Sequence, residues 1–155
     1  MNMSDYTRTT RRCGFAEFTG DAATAIRKYA EKHGLDDVEA AAEHCFETVS
    51  TKEKKGFFRS STETVVTSIV VTPHHLVWAA AKNDEAPAVL AARLRDIHVQ
   101  DYETSDMYKL VADTGVNISG PLGDAIRPSA AFIGLGPEQA AAEFREILHS
   151  RTSLS

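Results

Sequence analysis

Two adjacent histidines, His74 and His75, follow a proline in the run Thr72-Pro73-His74-His75. Neighbouring strand residues point to opposite faces, so one metal ion shared by the pair is disfavoured and a polar turn is expected. Imidazoles in such a turn also offer a pH-sensitive contact. Lys52, Lys54, Lys55 and Arg59 form a basic cluster interrupted by Glu53, with Phe57 and Phe58 beside it. Charge next to apolar rings suits an anionic membrane surface; the plainer reading is a solvated helix end followed by core phenylalanines. These six residues, Lys52, Lys54, Lys55, Arg59, His74 and His75, are the candidate binding residues. Asp96 and His98 would share a strand face and could act as an acid–base pair. No nucleophile motif accompanies them, so Asp96, His98, Asp101 and Glu103 are expected to be solvent-facing strand residues. Gly134-Leu135-Gly136-Pro137 has neither the GxGxxG nor the Gly-Lys-Ser/Thr pattern of phosphate loops and reads as a strand-to-helix turn with proline at the first helical position. Cys13 and Cys45 form no CxxC pair and no metal spacing with the histidines. Both are expected to be reduced thiols, Cys45 inside a helix. No catalytic residue, metal set or cofactor is expected.

The chain that must position these residues has 155 amino acids, enough for one domain with its own core. Its apolar fraction of 43% and charged fraction of 25% argue against disorder. A formal net charge of −5 disfavours sequence-independent binding to nucleic acid, which needs excess lysine and arginine. No apolar run reaches the length of a membrane span and the first residues lack a secretory core, so a cytoplasmic location is expected.

Residues 1–18 read as a tail or short strand. Asp21 caps a first helix that runs to His33, with Gly34 as its left-handed stop. Asp36 and Glu39 open a second helix with the stripe Val38, Ala42, Cys45 and Val49, closing in the lysines at 52–55. After Gly56 the period changes. Val65 to Val71 is apolar on both faces, as in a strand covered on both sides or one crossing a barrel. Leu76, Val77 and Trp78 return as a hairpin arm, with Trp78 expected in the core. Val89–Leu94 suits either a strand or a helix, and further short strands are expected near Ile97–Val99, Met107–Ala112, Val116–Ser119 and Ala130–Leu135, with Asp113-Thr114-Gly115 as a hairpin turn. Pro137 opens a last helix with the stripe Ala140, Phe144, Ile147 and Leu148. The expected class is α+β: a small antiparallel barrel of about seven strands, capped by this helix, with two extra N-terminal helices. The expected divisions are 19–56 for the helical extension, 57–149 for the barrel with its helix, and 150–155 for a short tail.

Thr67 to Trp78, Leu94 to Glu103, and Phe132 to Pro137 with the helix after it resemble successive signatures of bacterial pleckstrin-homology-like, GRAM-like domains. The resemblance covers roughly Phe57 to His149. It implies a non-catalytic adaptor that docks on a protein partner, self-associates, or holds a lipid headgroup. His74 and His75 stand where lipid-binding members commonly carry a basic residue, a departure that counts against phosphoinositide binding. A helix-grip barrel enclosing a small apolar ligand has nearly the same element order and is the alternative, together with peripheral membrane binding through Lys52 to Arg59.

Overall fold

A computed structural model describes residues 5–55 and 60–152 of the chain. Strand β1 (Thr7–Arg12) is followed by helix α1 (Ala22–Lys32) and a single-turn helix α2 (Val38–Ala41). The strands β2 (His44–Lys55), β3 (Ser60–Val71), β4 (His75–Lys82), β5 (Ala88–Arg93), β6 (His98–Asp101), β7 (Gly115–Gly120) and β8 (Ser129–Gly134) come next, and helix α3 (Gln139–Thr152) closes the order. All pairings are antiparallel, in two sheets: β1-β2-β3-β4-β5 and β6-β7-β8.

The larger sheet is covered on both faces. Along β2 and β3, Phe46, Ile69 and Val71 point toward α3 and the smaller sheet, where Trp78, Ile118, Ile133, Phe144 and Leu148 complete one core. The alternate residues Cys45 and Val70 point the other way, against Ile26 and Ala30 of α1. Double coverage explains why β3 is apolar on both faces. Residues 22, 26 and 30 of α1 are four apart and all buried, so they form one stripe on the sheet. Gly34, at φ +66°, provides the left-handed stop. Phe144 of α3 is fully buried, its ring tilted against Phe46 at 5.2 Å; burial of such a ring contributes about 2–3 kcal/mol.

Three expectations are corrected. The sheets do not close into a barrel: among the described residues eight strands form two open sheets. At the approach of β1 to β8, side chains take the bonds a ladder would use. The Thr10 N–H donates to Glu138 Oε1 at 2.7 Å and the Gly136 N–H donates to Thr10 Oγ1 at 2.9 Å. The expected N-terminal helix pair is also absent, because α2 is one turn and His44–Lys55 is a strand paired with β1 and β3. Cys45 therefore lies on a strand. That hairpin of β2 and β3 runs across position 56, joining the expected extension to the rest. Finally, Asp106–Lys109 is a 3-10 turn rather than a strand, so Asp113 to Gly115 is not a hairpin turn; β7 lies between β6 and β8.

Candidate functional site

The turn between β3 and β4 is fastened from three directions. Thr72 closes it locally: its N–H donates to the His75 carbonyl at 2.9 Å, and its hydroxyl accepts the His75 N–H at 3.0 Å. The Leu94 N–H donates to the His74 carbonyl at 3.0 Å, which brings the end of β5 against the turn. From the last turn of α3, Arg151 donates to the Thr72 carbonyl at 2.9 Å and pairs with Glu43 at 2.6 Å. These ties build a groove of about 580 Å³, lined by Asp36, Pro73, His74, His75, Arg93, Leu94, Arg95, Ser150 and Arg151.

Its electrostatics run against the acidic balance of the chain. Three arginines and one aspartate line its walls. Arg151 is held by Glu43, and Arg95 lies 3.8 Å from Asp96. Among the described residues Arg93 meets no carboxylate within salt-bridge distance. Arg93 lies directly across the ladder from His75. Burial, then Arg93, then His74 lower the His75 pKa, while Asp36 acts weakly the other way. The imidazole is thus neutral at neutral pH and has two cationic or cationisable neighbours. An unneutralised guanidinium group on a concave wall, with two further arginines in the same lining, suits an oxyanion, which it can bind through paired N–H donors.

A second cavity of about 270 Å³ adjoins the groove and shares His75 and Arg93 with it. Its far wall carries Tyr29 and His33 from the end of α1, their rings stacked at 4.0 Å. His33 Nδ1 lies 3.1 Å and 3.0 Å from the two oxygens of Asp124. Gly123, at φ +59°, donates its N–H to the Ala91 carbonyl, clipping this loop to β5. A Cβ there would press on Leu90 at 3.3 Å, so glycine serves both the turn and the packing.

The structure thus brings His74 and His75 into one groove and leaves the basic cluster elsewhere. Lys52 lies eight residues along β2 from His44, which pairs with Val71 at the turn end, a separation of about 27 Å. Lys52 contacts Asp5 at 3.7 Å and the Tyr6 ring at 5.5 Å. Lys54 and Lys55 continue the same strand, and Arg59 lies outside the described residues. Of the polar set around β6, Asp96 and His98 are exposed as expected, while Asp101 and Glu103 are tied to α3. Asp101 accepts from Arg145 at 3.1 Å and His149 at 3.0 Å, and Glu103 pairs with Arg145 at 2.8 Å. Burial would raise the Asp101 carboxyl, but the bonds from His149 and Arg145 outweigh it and hold it below the usual range.

Sequence reasoning missed Arg93, Arg95 and Arg151, and with them Tyr29, His33 and Asp124. Arg93-Leu94-Arg95 did carry a signal: two guanidinium groups flank a leucine that proves 3% exposed, directly after a strand. The other residues come from distant stretches that only the fold brings together. No family model, curated protein or solved structure matches the chain. Among the described residues no helix is long and apolar enough to cross a membrane.

Proposed function

We propose that the protein is a non-catalytic binding module of the cytoplasm that takes up an anionic group in the groove at the β3–β4 turn. The observation that carries this reading is the set of Arg93, Arg95 and Arg151 on one concave wall, with Arg93 unpaired among the described residues. A non-catalytic role is supported by how the nearby reactive groups are engaged. Ser150, the hydroxyl on the groove wall, donates to the Ile147 carbonyl at 3.1 Å. Burial pushes both thiols up to about 11, far from a reactive thiolate at neutral pH. A cytoplasmic location is supported by the two free cysteines.

Docking on a protein or a second copy ranks below this reading. The most exposed apolar side chains that would carry it are Met107, Leu110 and Val111 in one short stretch and Ile126 apart from them. A dimer in a solution mass measurement would promote it. The packing of Phe46, Trp78, Ile118, Phe144 and Leu148 into one core beside α3 speaks against the alternative of an enclosed apolar ligand.

Calorimetric titration with inorganic phosphate tests the groove. Arg93→Glu/Arg95→Glu is expected to weaken binding by about tenfold or more, the loss of one or two charge-assisted contacts. Lys52→Glu, at the far end of β2, is expected to leave binding unchanged. Equal binding by wild type and the arginine double variant, with the fold intact by circular dichroism, would remove the assignment.

A further inference from the structure

The geometry points to one bipartite site, formed by the cationic groove and the cavity beside it, for a small phosphate ester whose organic part carries hydroxyl groups. This rests on the anion-binding reading and adds the ligand class. The two spaces share His75 and Arg93 in their linings. A groove of about 580 Å³ beside a cavity of about 270 Å³ is the scale of a small organic molecule rather than of a lone oxyanion.

The chemistry changes sign along the site. The groove presents guanidinium donors. The adjoining cavity adds two carboxylates, Asp96 and Asp124, which can only accept hydrogen bonds at neutral pH. A second anionic group there would be repelled, whereas hydroxyl groups would find acceptors. Between the acceptors lie carbon surfaces, Leu35, Ala91 and Ala92, which suit the aliphatic ring faces of a polyol or sugar. The acceptor end is also pre-set. His33 is stacked on Tyr29 and bonded to Asp124, and the Gly123 N–H fixes the loop to β5. A ligand therefore meets a formed wall and orders little on binding. Burial, then Asp124, raise the Tyr29 phenol, which stays protonated and able to donate.

The test is calorimetric titration of the full chain with inorganic phosphate, methyl phosphate, and three hydroxylated esters: glycerol 3-phosphate, ribose 5-phosphate and glucose 6-phosphate. At least one hydroxylated ester is expected to bind about tenfold more tightly than methyl phosphate, the gain that one or two extra hydrogen bonds supply. Asp124→Ala is expected to erase that gain while leaving inorganic phosphate binding unchanged. Asp96→Asn gives a second, independent test of the acceptor end. Inorganic and methyl phosphate binding with no advantage for any hydroxylated ester would overturn the bipartite site and leave the groove reading intact. Absence of binding by every phosphate species would overturn both.

Discussion

His75 is the residue whose ionisation the groove controls. Its folded pKa lies below the ordinary 6.5, first through burial and then through Arg93 and His74, with Asp36 opposing. The sign follows from linkage. A histidine held neutral contributes stability above its unfolded value, and that contribution is lost as pH falls through the lowered folded value. An anion seated beside it reverses the preference and favours the imidazolium. Phosphate binding is therefore expected to take up a fraction of a proton near pH 6. Titrations in buffers of different ionisation enthalpy read this directly, and His75→Gln should lower the uptake measured for the wild type, leaving the phosphate's own ionisation as the remainder. Unchanged uptake in that variant would move the protonation to another group.

Among the elements, β2 organises its surroundings through one carboxylate. Glu47 is 1% exposed and accepts from Arg11 of β1 at 3.0 Å, from the N–H and hydroxyl of Thr19 at 2.8 and 2.9 Å, and from Ser68 of β3 at 3.2 Å. Burial works to raise its pKa, but these donors prevail and lower it. Glu47→Ala would leave buried donors unpaired and is expected to cost about 3 kcal/mol in urea unfolding. The contribution is present above the unfolded glutamate value and lost as pH falls through the depressed folded value, so the variant should lose part of the wild type's acid sensitivity. The same strand shows where the sequence could mislead. Cys45 and Val49 are four apart, and residues four apart share a face in a helix and in a strand alike. The stripe through Val38 and Ala42 therefore looked helical, while the β-branched Thr48, Val49 and Thr51 were the better guide. Helix α1 was legible because Asp21, its apolar stripe and Gly34 agree. The open sheets were not, because closure depends on what Thr10, Gly136 and Glu138 do across more than a hundred residues of chain. Likewise His74 and His75 were visible as a pair, but nothing local tied them to Arg93, Arg95 or Arg151.

At the scale of the whole molecule, an acidic chain of net charge −5 concentrates guanidinium groups at one end of its larger sheet. Such a contrast steers small anions toward the groove, and the steering weakens with salt. The groove's walls come from Asp36 after α1, the β3–β4 turn, the end of β5, and Ser150 and Arg151 at the end of α3. Each of these stretches also belongs to a separate part of the folding problem. Whatever occupies the groove therefore acts as a clasp on the entire chain, drawing the first third and the last helix together without a covalent bond. A phosphate ester at about a hundred times its dissociation constant would add about 2.7 kcal/mol to the folded state and raise the melting temperature by roughly 5–10 °C. Arg93→Glu/Arg95→Glu, with binding weakened about tenfold or more, should show about half that shift or less at the same ester concentration. In such a protein the ligand reports through stability, and the amount of folded chain would follow the supply of the small anion it holds.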